Sequence, residues 1–267
     1  GKDFAPMVIV DTNPDSPEHY LYKNYISIPF EERKQKGILT YHWELDDNPF
    51  LNPQVRENIK NSTPSGVFYD RKIKGLWVTA DGIVYADFNR DIHVIDDDKL
   101  PPKKDFVRFF CGVDWGYEHK GAIVLFGMAK DGNMYILRVI AAVHMLIDWW
   151  IEQAQGIIRE YGYGIKFYCD SARPDNINEF RKANIWAVEA NKAVNSGVER
   201  VAGLFKKNKL FLCRSQSQEF CSEIYTYVWD ERTGLPVKIK DDIMDATRYG
   251  VYTDSEEHKY GVNDYAI

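Results

Sequence analysis

The stretch FFCGVDWGYEHKGAIVLFG, residues 109–127, decides how this chain is read. Two apolar runs are joined by a short polar loop, and the first run closes on Asp114, with Trp115 and Gly116 directly after it. A loop this short makes the two runs antiparallel neighbours. An aspartate where a strand core ends is either a turn former or a group placed for chemistry. The choice rests on whether other carboxylates reach the same rim.

Outward from that hairpin, Val107–Trp115, Gly121–Ala129 and Asn133–Ala142 read as three antiparallel strands, the last two joined at Lys130-Asp131-Gly132. IDWWIEQAQGIIREYGYG (147–164) has apolar residues at helical spacing, Asp148 as N-cap and glycines at its end. Ile165–Cys169 is a strand ending before Asp170, and Pro174–Lys182 is a helix with proline in its first turn. Ile185–Val188 is a strand, and the next helix opens at Ser196 and Glu199 in capping-box spacing. Strand Leu210–Cys213 leads to a helix through Tyr225, and DDIMDATRYGVYT (241–253) forms the last helix. Three antiparallel strands followed by alternating helices and strands predict an α/β protein with a ribonuclease H-like mixed sheet and helices on both faces. This domain is expected to span residues 79–267, opening with a hairpin around Asp81-Gly82.

Residues 1–78 have another texture. DTNPDSP, ISIPFEE, LDDNPFLNP and NSTPSG are turn signals. Between them lie one predicted helix, Pro53–Asn61, and one apolar strand, Met7–Val10, that runs into Asp11, Thr12 and Asn13. The segment is too broken to form a domain by itself.

The 267 residues, 45% hydrophobic, can bury one large core or two modest ones. No apolar run approaches the roughly 20 residues of a membrane span, and GKDFAPMVIV lacks the layout of a signal peptide. Beginning on Gly, the chain is expected to be a piece of something longer. Cys111, Cys169, Cys213 and Cys221 lack metal-type spacing and read as reduced core residues of a cytosolic protein. A net charge of −6 argues against a general nucleic-acid sponge but hides an asymmetry. Residues 166–214 hold ten Lys/Arg against five Asp/Glu, and residues 241–267 hold seven acids against two bases. A basic stretch beside an acidic tail suits a metal-dependent enzyme acting on a polyanion; two ordinary solvated faces would look the same.

In the predicted sheet, Asp114 and Asp170 end adjacent strands, at the rim where open α/β sheets bind ligands. Asp242 and Asp245, three apart, share a face of the last helix, and Asp241 lies four before Asp245. Carboxylates gathered from such distant places repel unless a cation sits among them. An all-oxygen set selects Mg²⁺ or Mn²⁺ over zinc. Two such ions about 4 Å apart activate a water and stabilise the leaving oxygen in attack on a phosphodiester. Asp114 is the natural bridging ligand, with Asp170 on one ion and Asp245 on the other; Asp242 is a further ligand or orients a water. Each aspartate alone has a plain reading as a turn former or helix cap. Three at one rim do not.

Among other polar groups, Arg173 and Lys192 fit phosphate contacts. His119 reads as an exposed loop residue near the rim, and of Trp149 and Trp150, available for base stacking, one is expected in the core. Lys206, Lys207 and Lys209 read as a solvated helix end.

GVDWG (112–116), YCDSARPDNINEF (168–180) and DDIMDATRYG (241–250) together resemble the C-terminal nuclease domain of the large terminase subunit of tailed bacteriophages. DTNP resembles the segment of that family that couples ATP hydrolysis to movement, and DDNPFLNPQVRENI its linker before the nuclease. The resemblance implies an endonuclease that cuts concatemeric double-stranded DNA with two Mg²⁺ or Mn²⁺ ions. It implies Asp114, Asp170 and Asp245 as ligands and a partial ATPase and linker segment over residues 1–78. Some relatives carry histidine at the place of Asp242. Implied partners are the portal protein and the small terminase subunit, in the host cytoplasm during assembly and not in the virion. No GxxxxGK[ST] loop is present, so the chain itself is not expected to hydrolyse ATP, and Thr12 and Asn13 stand without their partner elements. Two other readings are a non-catalytic module that grips DNA or docks on the portal, and an actin-like or sugar-kinase phosphotransferase. Ser-Ala-Arg-Pro after Asp170, in place of glycines, speaks against the latter.

Overall fold

The run GAIVLFGMA (121–129) is buried at every position except Met128. That is how a strand covered on both faces reads, and the fold is arranged about it. The computed structural model describes residues 7–258, which fall into two units divided after Ala80; the end of the acidic stretch, from residue 259, lies outside them.

The first unit holds three helices, α1 (Phe30–Gln35), α2 (Pro53–Ser62) and α3 (Val67–Lys72). Asn52 caps α2 by accepting the Gln54 N–H, 2.8 Å, ahead of Pro53 in the first turn. Met7–Val10 does not form the expected strand. Its side chains are 61–87% exposed, and no described segment pairs with its backbone, without which an apolar run has no ladder to join.

The second unit contains α4 (Arg90–His93), β1 (Val94–Ile95), β2 (Phe106–Asp114), β3 (Gly121–Ala129), β4 (Met134–Ala142), α5 (Ile147–Tyr161) and β5 (Lys166–Cys169). Then come α6 (Pro174–Lys182), β6 (Trp186–Glu189), α7 (Val194–Lys206), β7 (Leu210–Cys213), α8 (Ser217–Ile224), a small β8–β9 pair (Trp229–Asp230 and Leu235–Pro236) and α9 (Asp242–Glu257). The main sheet runs β1-β7-β4-β3-β2-β5-β6. Strands β2, β3 and β4 are mutually antiparallel, and β5 and β6 on one side and β7 and β1 on the other are added in parallel. This is the predicted mixed sheet.

Three expectations differ. Asp81-Gly82 does not turn a hairpin; the segment pairs instead with residues far ahead, Ile83 bridging Val228 and Val84 N–H donating to Tyr227 O at 2.9 Å. Burial of Tyr85 and Tyr227 against each other, rings 5.5 Å apart, favours that distant pairing over a local one. Ser196 and Glu199 lie inside α7, which starts at Val194, and form no capping box. Asp148 sits in the first turn of α5, and Leu146 holds the cap position.

Side chains alternate across β2. Cys111 and Val113 join Trp150, Ala154 and Ile157 of α5 and Ile177 and Phe180 of α6 in one core. The other face carries Phe110, Gly112 and Asp114, and there α9 lies against the strand. The approach is closer than side chains permit: a Cβ on Gly112 would stand 1.8 Å from Ala246 O, and one on Gly250 2.7 Å from Phe126 Cε2. Helix α9 is therefore buried nearly all round although rich in polar residues, so those residues must find partners inside. Asp254 takes both a 3.0 Å and a 2.7 Å bond from Arg108 of β2. Glu223 of α8 accepts the Met244 N–H at 2.8 Å, in the first turn. The four cysteines are buried and free, and among the described residues no helix is long and apolar enough to cross a membrane.

Candidate active site

Asp114 is the last residue of β2 and Asp170 the first after β5, its parallel neighbour. The two ends are tied together: Asp170 N–H donates to Val113 O at 2.9 Å, and the Trp115 indole donates to Asp170 O at 3.0 Å. Trp115 thus fixes the spacing of two strand ends while its ring packs edge-on against Phe180, centroids 5.0 Å apart. From the opposite side, the first turn of α9 brings Asp242 and Asp245, with 6% and 4% of their surface exposed. Burial raises the Asp114 carboxyl well above the ordinary carboxylate range, and the charges of Asp245, Asp170 and Asp242 raise it further. A carboxyl that feels three others is the electrostatic mark of convergence.

The charge is offset by amines and a guanidinium. Lys192, from the loop before α7, pairs with Asp170 Oδ1 at 2.6 Å. Arg248, one turn along α9 and 1% exposed, gives its Nη2 to Asp245 Oδ1 at 2.9 Å and its Nη1 to Lys192 O at 3.2 Å. Lys238 binds Asp245 Oδ2 and lies 2.9 Å from Asp241 Oδ2. Burial works against its ammonium, yet the carboxylates of Asp245 and Asp241 hold its pKa above the ordinary lysine value. His119 is exposed, as expected of a loop residue, but its Nδ1 stands 2.9 Å from both Lys120 O and Asp242 Oδ1. Those two acceptors, the carbonyl first, raise the imidazole pKa.

As donors, these groups fit a hard divalent ion: oxygen only, anionic, buried, and converging from three elements. As the side chains stand, no three His, Cys, Asp or Glu groups among the described residues close around one point. Lys192, Lys238 and Arg248 take up the oxygens instead.

The sequence singled out Asp114, Asp170, Asp242 and Asp245, and the fold brings them to one rim. Lys192 stands at the same rim. Arg173 does not; it lies outside the cluster in a two-bond exposed pair with Asp175, 3.0 and 2.7 Å. Trp150 is core, and Trp149 packs edge-on to it at 4.8 Å. Glu223, Lys238 and Arg248 escaped the sequence reading. Arg248 had a signal, an arginine three after Asp245 on the ligand face. Glu223 had none, because its target is a backbone N–H on another helix.

A seven-stranded mixed sheet flanked by helices, with acids where β2 and β5 end, defines the class: a ribonuclease H-like fold. The large terminase of a thermophilic bacteriophage, solved with ATP-γ-S, has the same structure over 90% of this chain, with a TM-score of 0.78 and 27% identity. The nuclease domain of the phage P22 large terminase shares the fold at TM-score 0.54 and 20% identity, over 66% of this chain and 93% of its own. That of phage SPP1, solved with bound Mn, does so at 0.51 and 17%, over 64% and 99%. The chain resembles the phage large terminases, and it spans 61% of the length of the first of them. No protein-family model and no curated protein matches the sequence.

Proposed function

We propose that this chain is the metal-dependent endonuclease part of a viral DNA-packaging motor, cutting concatemeric double-stranded DNA. The observation that carries the reading is the convergence of Asp114, Asp170, Asp242 and Asp245 at the end of β2, with Asp114 charged against the other three. Asp114, Asp170 and Asp245 are the proposed metal ligands, with Asp242 as a fourth or as the group that orients a water through His119. Two Mg²⁺ or Mn²⁺ ions there would activate water and stabilise the leaving oxygen of a phosphodiester. The likeness to the SPP1 nuclease domain, solved with Mn, supports the choice of ion.

The chain's own residues prepare the rest. Trp115 and the Asp170 backbone hold the two strand ends at fixed spacing. Lys192, 41% exposed at its side chain, can leave Asp170 for a phosphate oxygen. Arg173 reaches a phosphate only by leaving Asp175. Residues 1–78 are read as the end of an ATPase region and linker, residues 79–267 as the nuclease, and the partners as double-stranded DNA, portal protein and small terminase subunit in the host cytoplasm. With a net charge of −6, this chain is expected to bind DNA weakly and with strong salt dependence.

A plasmid-nicking assay in EDTA, Mg²⁺ or Mn²⁺ tests the reading. Cutting is expected with either ion, none in EDTA, and only background for Asp114→Asn. Cutting that survives Asp114→Asn puts the active site elsewhere. No cutting by the wild type under any metal favours the module that grips DNA or docks on the portal.

A further inference from the structure

The two cations on Asp245 are not equivalent. Arg248 holds Oδ1 from within the same helix, is 1% exposed, and is anchored a second time on the Lys192 carbonyl. Its guanidinium keeps its charge and has nowhere to go. Lys238 holds Oδ2 from the segment between β9 and α9, and its side chain is 59% exposed. Its amine ends a flexible stem and can move into water. One oxygen of Asp245 is thus committed and the other is releasable, and Asp241 Oδ2, 2.9 Å from the same amine, is released with it.

We propose that Lys238 is the resident counter-cation of the cluster, neutralising Asp241 and Asp245 until a divalent ion displaces it, and so setting the metal concentration the site requires. The proposal rests on the nuclease reading. It accounts for two observations together: a donor set suited to a hard cation, and side chains that do not close around a point while an ammonium stands between them. A positive charge held against the ligands opposes an incoming cation by Coulomb repulsion and by occupying the oxygen that the cation needs. Lys238 is a positioning residue in this sense, acting on the ligands and not on DNA.

The test is calorimetric titration of Mn²⁺ into the whole chain without DNA, at fixed pH, for the wild type, Lys238→Met, Lys238→Arg and Asp114→Asn. Lys238→Met is expected to bind Mn²⁺ more tightly by roughly fivefold, the equivalent of one part-exposed ion pair. Lys238→Arg, which keeps the charge, should bind no tighter than the wild type. A general loosening of the fold would weaken binding, so the sign separates the two causes. Unchanged or weaker binding by Lys238→Met, with wild-type binding lost in Asp114→Asn, overturns the proposal and leaves the nuclease reading standing. Wild-type binding retained by Asp114→Asn, or no binding by the wild type, overturns both.

Discussion

At the scale of single residues, Glu223 shows how a buried acid can serve a site without touching it. Its carboxyl, 5% exposed, faces the first turn of α9, where the Met244 N–H would otherwise be unsatisfied. Burial pushes its pKa up to about 8, and the Asp242 charge adds to the rise, against the pull of the α9 N–H groups. The folded pKa lies above the unfolded one, so the native state holds this proton more tightly. The stability it contributes is complete below the ordinary carboxylate pKa and is lost as the pH climbs toward 8. Melting curves in EDTA from pH 5 to pH 8 should therefore show the wild type losing stability that Glu223→Gln retains, since glutamine keeps the acceptor oxygen without the charge. Parallel curves would refute this. Glu223→Ala should lose about 1 kcal/mol at every pH through the missing cap. The aspartates were legible in the sequence because a charge at the end of an apolar run stands out. Glu223 was not, because its partner is backbone.

At the scale of elements, the contact that positions the site is α9 on β2, and it depends on absent side chains. Gly112 and Gly250 face each other across it, and neither tolerates a Cβ without moving backbone. Gly112→Ala should cost about 3 kcal/mol in urea unfolding and reduce nicking sharply by lifting Asp242 and Asp245 from Asp114. A loss under about 0.5 kcal/mol, with activity intact, would show that the packing is looser than the distances state. Strands β2 to β4 and helices α5, α6 and α9 were readable because periodicity and turn residues agreed along each run. The Asp81-Gly82 segment was not: its local signal favoured a hairpin, and a tyrosine pair with Tyr227 overrode it. Ser196 misled likewise, since capping spacing means little once a helix begins two residues earlier.

At the scale of the whole molecule, the sheet order sets what the chain can do and when. The strand and helix order was enough to place residues 114, 170 and 242–245 at one rim, whereas the first unit, built from turns and short helices, gave little periodicity to read. Two of the proposed ligands come from the middle of the chain and the others from its last helix, and α9 meets β2 only after α5 to α8 have been laid down between them. Contacts this distant in sequence close late, because the loop entropy is spent before the contact repays it. No half-folded intermediate of this chain would hold the full set of acids, so a nascent or misfolded copy is harmless to DNA. Refolding from urea followed by tryptophan fluorescence and by nicking should give the same final rate constant. Nicking that runs ahead of the native signal would mean that a partial fold already cuts.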